Sequence, residues 1–268
     1  MPKSLYIIFL ALQLLVISSC SKFSKLQKSD DINAKLAAAI KYYEDEDYYK
    51  ANVLFEEIVP LLKGRQEAEK AQYYQAYNYY KDKQYILSAY HFKDFIETYP
   101  RSEYTEECSF LHAKSLYNDS PVFELDQTNT DAALVALQRF TNNYPKSTYL
   151  EEANRITDEL NKKIELKTYE NAKVFHKIGN HKSAVVTLTS FQEKYPESVY
   201  GEEVAYLKLD AQFRLAILSV EGAKKKERYY DAIEFYHNFI DKYPESKYKR
   251  VGQTIYDQCL KQIAKYNS

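Results

Sequence analysis

FIETYPRSEY (95–104), FTNNYPKSTY (140–149), FQEKYPESVY (191–200) and FIDKYPESKY (239–248) are four copies of one phrase, F-x-x-x-Y-P-x-S-x-Y. Their prolines, Pro100, Pro145, Pro196 and Pro244, stand 45, 51 and 48 residues apart. A phrase repeated at near-constant spacing marks an array of stacked supersecondary units, each burying its apolar face against its neighbours. Such an array offers an extended surface instead of an enclosed catalytic pocket. The phrase therefore points to binding before any chemistry is considered.

The phrase has a local physical reading. Proline lacks an N–H and disfavours helix in the residue before it, so a helix stops at each Tyr-Pro. The serine two positions later is expected to cap the next helix by accepting one of its free N–H groups. The pairs Glu106-Glu107, Glu151-Glu152 and Glu202-Glu203 follow, and acidic residues in a first turn suit the helix dipole. Lys249-Arg250 follows the fourth copy instead, so a last helix over about 245–266 reads as the cap that terminal repeats require.

Between the copies, apolar residues recur at helical spacing and strand-like alternation is absent. Only 5 Gly and 7 Pro occur in 268 residues, which argues against a turn-rich sandwich or barrel. Ala76, Tyr79, Tyr85, Ser88, Phe92 and Pro100 fall on the tetratricopeptide pattern, as do Ala172, Phe175, Gly179, Ala184, Leu188 and Pro196. Ala39, Tyr42, Tyr48, Ala51 and Phe55 begin an earlier unit that closes early at Pro60. The expected fold is all-α, a right-handed superhelix of about five tetratricopeptide-like helix pairs. Its units are 33–60, 68–100, 103–145, 150–196 and 200–244, capped by 245–266. Two insertions interrupt them, NDSPVFELDQTNT (118–130) before a helix resuming at Asp131, and a loop from Ser219 to Arg228 carrying Lys224-Lys225-Lys226.

The N-terminus is separate. Lys3 precedes an apolar run from Leu5 to Ile17, thirteen residues long, then Ser18, Ser19 and Cys20. That run is too short to span a bilayer and suits a signal peptide. Ile17-Ser18-Ser19-Cys20 resembles the bacterial lipobox, so 1–19 reads as the signal and Cys20 as the lipidated residue. Residues 20–32 form a polar tether on which Asp30 or Asp31 caps the first helix. Several acyl chains on one cysteine anchor stably where one chain does not.

Catalytic signatures are missing: no Walker loop, G-x-G-x-x-G, H-E-x-x-H, G-x-S-x-G or paired C-x-x-C occurs. The five histidines are scattered, and Cys108 and Cys259 read as buried apolar residues. With 37 basic and 38 acidic residues there is no electrostatic footprint for nucleic acid. The chain is read as a non-enzyme with no cofactor and no metal.

The lipobox, the repeats with their Y-P-x-S-x-Y endings, and Asp126-Gln127-Thr128-x-Thr130 leading into Ala132-Ala133-Leu134 resemble the BamD family. Its members are lipoproteins of the outer-membrane β-barrel assembly machine. The usual proline- and arginine-rich run before D-Q-T is here Pro121-Val122-Phe123-Glu124-Leu125. The resemblance implies a non-catalytic scaffold that binds C-terminal β-signals of unfolded outer-membrane precursors and docks on periplasmic domains of the barrel-forming subunit. It places the protein in the outer membrane, lipid-anchored and facing the periplasm. Ser21 in place of the Asp used for inner-membrane retention agrees, as does the lack of an acidic run after Cys20.

On the tetratricopeptide pattern the concave face is lined by positions 5, 9 and 12 of each first helix. These are Leu36, Ile40 and Tyr43, then Tyr73, Tyr77 and Tyr80, then Phe110, Lys114 and Tyr117. Such a row suits an extended peptide ending in an apolar side chain and a carboxylate; the other reading has the rings packing between helices. Asp126, Gln127 and Thr128 are read as a partner-contact loop. Two other functions remain open: a periplasmic repeat lipoprotein coordinating cell-envelope or peptidoglycan processes, and a glycan-binding surface lipoprotein. The absence of Trp weighs against the latter.

Overall fold

Each Tyr-Pro step ends a helix in the same way. Tyr99, Tyr144, Tyr195 and Tyr243 adopt φ between −123° and −130° and ψ between 60° and 67°, outside the helical region that a following proline disfavours. Each still donates its N–H to the phenylalanine carbonyl four residues back, so the last turn closes and the helix stops.

The serine plays a different part from the cap expected of it. Its Oγ accepts the N–H of the tyrosine two residues ahead, at 3.0 to 3.1 Å in all four copies. The next helix begins only after that tyrosine. The tight turn brings the nearest amide to the hydroxyl before the chain enters helical geometry, so serine closes a turn. In two copies the hydroxyl also donates back to the start of the repeat's own first helix, Ser102 to Glu69 at 2.5 Å and Ser246 to Glu202 at 2.6 Å.

This computed structural model describes residues 22–267; residues 1–19, read as a signal peptide, and Cys20 lie outside the described residues. Residues 22–27, expected as part of a polar tether, are helical, with Phe23 and Leu26 packed against the N-terminal apolar cluster. The helices that follow are α1 (Ile32–Glu44), α2 (Tyr48–Ile58), α3 (Ala68–Lys81), α4 (Tyr85–Thr98), α5 (Thr105–Asn118), α6 (Thr128–Asn143), α7 (Leu150–Lys177), α8 (His181–Lys194), α9 (Gly201–Ile217), α10 (Ala223–Lys242) and α11 (Lys249–Asn267). A 3₁₀ turn covers Pro60–Leu62. No strand occurs among the described residues. The architecture is all-α, built of stacked helix pairs of tetratricopeptide type.

Contacts divide the chain within α7 into two compact units, Met1–Leu160 and Asn161–Ser268. In the first, α1 to α6 pack consecutively around two apolar clusters, one with Leu54, Phe55 and Ile58 and one with Phe92, Phe95, Phe110 and Phe140. In the second, α8 to α11 pack consecutively around Leu188 and Phe191 and around Phe213, Tyr236 and Phe239. The phrase's phenylalanine is buried in every copy: Phe95, Phe140, Phe191 and Phe239.

The turns inside the pairs also repeat. Glu46, Lys83 and Gly179 all take positive φ, at 61°, 61° and 77°, and each donates its N–H three residues back in a helix-ending pattern. Asp31, Asp47 and Asn180 cap the helices that follow them. Nothing lies within 4 Å of where a Cβ on Gly179 would sit. Gly179→Ala is therefore expected to cost about 1 kcal/mol from backbone conformation alone, read as a shift in the urea midpoint; a loss several times larger would show that a steric contact governs the turn.

Two boundaries differ from the sequence reading. The lysines Lys224 to Lys226 lie in the first turn of α10, not in a loop, because no Gly or Pro interrupts 223–242. Lys225 pairs with Glu221 at 2.7 Å. The helix after the first insertion starts at Thr128, three residues before Asp131, since Thr128 N–H bonds the Asp126 carboxylate at 2.9 Å and so starts the turn early.

Candidate functional site

The last tyrosine of each phrase turns back onto the first helix of its own repeat. Tyr104 lies 4.3 Å from Tyr73, Tyr149 4.7 Å from Phe110, Tyr200 4.1 Å from Tyr169 and Tyr248 4.4 Å from Tyr206, centroid to centroid. Three of the four pairs are close to parallel, at 11°, 11° and 1°, and offset stacking of this kind is favourable beyond area burial. The stacked partner is always the aromatic at position 5. The sequence reading names the phrase tyrosines and, at position 5, Tyr73 and Phe110 without joining them, and it does not name Tyr169 or Tyr206; an aromatic at position 5 in each of the four units that end in the phrase was the available signal.

Carboxylates hold the rest of the row in the first unit. Glu107 on α5 accepts the hydroxyls of Tyr77 at 2.5 Å, Tyr73 at 3.0 Å and Tyr149 at 3.4 Å. Burial, with Glu107 alongside, pushes the Tyr73 and Tyr77 hydroxyls far above the ordinary phenol range. Lys114 pairs with Glu152 at 2.8 Å and lies over the Phe110 ring at 5.5 Å. Burial opposes its charge, yet Glu152 and Tyr80 hold its pKa above the usual lysine value. Tyr117 donates to Glu159 at 2.7 Å. In the second unit the same device recurs, with Lys173 over Tyr169 at 4.5 Å and paired with Glu203 at 3.1 Å.

At the N-terminal end Leu36 is buried with Ala39 and Leu54, and Ile40 and Tyr43 pack against that cluster. Tyr43 meets Tyr74 edge-on at 5.4 Å and Tyr77 at 6.5 Å, joining the row across repeats. Burial and the neighbouring Tyr48 and Tyr74 raise its pKa to about 12. Leu36 and Phe110 are thus buried, whereas Tyr73, Tyr77, Tyr80 and Lys114 stay half-exposed. The row presents aromatic surface and one ammonium, with most hydroxyls already donated to carboxylates and no activated nucleophile.

The family model described as YfiO, outer membrane lipoprotein, matches residues 29–182, more than half of the chain. The chain belongs to the YfiO family. A tetratricopeptide-repeat model matches 169–198 and 210–246. No curated protein matches the chain. As a YfiO-family member it is an outer-membrane lipoprotein with a non-catalytic repeat scaffold on the periplasmic side, the family read from the sequence as BamD-like.

Within this YfiO-family chain the D-Q-T segment is ordered by its own bonds. Gln127 is buried; its amide donates to the carbonyls of Val122 at 2.9 Å and Leu125 at 3.0 Å and accepts from Thr130 at 2.7 Å. Asp126 and Thr128 are exposed at its edge. In the second unit His176 meets the buried Asp210 at 2.7 Å, and Arg214 donates to the same oxygen at 2.6 Å. Despite burial, these two partners hold the Asp210 carboxyl below the usual range. Cys108 and Cys259 are buried and free, and burial pushes both thiols up, Cys259 to about 12. Among the described residues no cluster could hold a metal ion, and no helix is long and apolar enough to cross a membrane.

Proposed function

We propose that the scaffold gathers unfolded outer-membrane β-barrel precursors through their C-terminal β-signals and delivers them to the periplasmic domains of the barrel-forming subunit. Family membership supports the setting, and the half-exposed line of Tyr43, Tyr77, Tyr80 and Lys114 carries the reading. Aromatic faces with polar edges suit an extended segment, and the Lys114 ammonium suits a terminal carboxylate. Of the expected contact loop, the exposed Asp126 and Thr128 are assigned to the docking side, the buried Gln127 to holding that loop in shape, and Cys20 to the lipid anchor.

The test replaces Tyr80 and Lys114 with alanine, leaving Tyr73 and Tyr77 to hold Glu107. Binding of a β-signal peptide is expected to weaken about tenfold with the circular dichroism spectrum unchanged. Unchanged affinity in a folded variant would overturn the peptide site. Affinity purification from solubilised membranes tests the partner: the barrel-forming subunit is expected, and its consistent absence would favour coordination of other envelope processes.

A further inference from the structure

Two clefts in the first unit are lined by none of Tyr73, Tyr77 and Tyr80. The first, of about 290 Å³, lies between α2 and α4 over α3. Its lining is rich in acceptors and poor in cations. Gln75 is only 4% exposed, and its side chain has no hydrogen-bond partner among the described residues. Gln72 Oε1 is buried and equally unpaired. The carboxylates of Glu56 and Asp94 line the same cleft; Glu56 accepts one hydroxyl, from Tyr79 at 2.6 Å, and Asp94 has no ion pair among the described residues. No lysine or arginine lines the cleft. Its one basic group is His91, stacked flat on Tyr79 at 4.8 Å and 5°, which burial keeps below its ordinary pKa.

Amide oxygens without a donor beside two exposed carboxylates, with no lysine or arginine among them, are complementary to a donor-rich cation. A guanidinium fits better than an ammonium: it is planar, carries five N–H donors and stacks on aromatic rings. The ring at the rim is Tyr90, 64% exposed on α4.

Tyr90 also lines the second cleft, about 610 Å³, between α4 and α6 over α5. The small side chains of Ala89, Ser109, Ala132 and Ala136 leave that cleft open, and the exposed Ile86 and Val135 wall it. An acceptor-rich pocket and an apolar trough share one aromatic ridge. We propose that this face binds a partner polypeptide segment that seats an arginine in the first cleft and an apolar side chain in the second, crossing Tyr90. The site is independent of the tyrosine row and does not rest on the precursor reading.

The probe is a fluorescent peptide, Arg-Ala-Ala-Leu with blocked ends, titrated with the full chain in detergent and followed by anisotropy. Its counterpart carries citrulline, which keeps the shape and removes the charge. The arginine peptide is expected to bind about tenfold more tightly than the citrulline peptide. Glu56→Gln with Asp94→Asn is expected to abolish that preference, and the exposed single change Asp94→Lys to reduce it without affecting folding. Equal affinity for the two peptides, no measurable binding of the arginine peptide, or a preference that survives in both folded variants would each overturn the proposal.

Discussion

Phe140→Ala is expected to destabilise the first unit by about 3–5 kcal/mol, the range for a large aromatic removed from a packed core. Phe140 is 1% exposed and lies 5.5 Å from both Phe110 and Tyr144. It stands between the ring that Tyr149 covers and the tyrosine that ends α6, so its loss leaves a cavity under two elements that cannot both collapse into it. Urea unfolding followed by circular dichroism measures the effect. Because repeats couple mainly to their neighbours, the transition is expected to broaden or split as the first unit melts ahead of the second. Val199→Ala, at a side chain 88% exposed, is the control and is expected to change stability by no more than about 0.5 kcal/mol. A Phe140→Ala midpoint indistinguishable from that control would mean that the phrase's phenylalanine is not what ties each helix pair together.

The phrase was legible because its physics is local. Proline stops a helix within one residue, a buried phenylalanine recurs at the same offset, and the acidic pairs do sit in first turns, at Glu106-Glu107, Glu151-Glu152 and Glu202-Glu203. What escaped the sequence is contact across a repeat. The stacked partners Tyr73 and Tyr104, or Tyr206 and Tyr248, are tens of residues apart, and no local rule pairs them. Glu107 had a sufficient local explanation in the helix dipole, which hid its role as acceptor for three tyrosines. Gln127 was read by resemblance alone, and spacing cannot show an amide turned into its own loop. The division at Leu160 falls inside one unbroken helix, where composition does not change. The clefts beside Tyr90 each need three helices to exist at all.

These observations change what the tyrosine abundance means. In a chain with 28 tyrosines and no tryptophan, several of the phenols are structural, with the ring filling space between helices while the hydroxyl finds a carboxylate. Tyr79 on Glu56, Tyr117 on Glu159 and the trio on Glu107 all follow that scheme. Phenylalanine at those positions would supply the packing without the polar register. The acidic residue that receives the hydroxyl comes from another helix in each case, so the bonds align helices that apolar contact alone would let slide.

Glu107→Ala is the sharpest test of that scheme. It removes the shared acceptor of Tyr73, Tyr77 and Tyr149, and a donor left without a partner costs about 1–3 kcal/mol when buried. The three hydroxyls are only partly enclosed, so the expected loss is about 2–4 kcal/mol in total. Glu107→Gln keeps the shape and one acceptor oxygen and is expected to recover most of that loss, which separates hydrogen bonding from packing. Alkaline pH supplies an independent reading. The Tyr73 and Tyr77 pKa values are raised by burial and by Glu107, so above about pH 10, the unfolded phenol value, the folded chain binds more protons than the unfolded one. Their contribution is complete below about pH 10 and is lost as pH rises toward the folded values, so stability falls with pH there. In Glu107→Gln the carboxylate no longer opposes phenolate formation, and the decline is expected to be shallower. Denaturation midpoints measured at steps above about pH 9, with phenolate absorbance followed in parallel, report both. A decline equally steep in Glu107→Gln and in the unaltered chain would assign the raised pKa values to burial alone and remove Glu107 from the account.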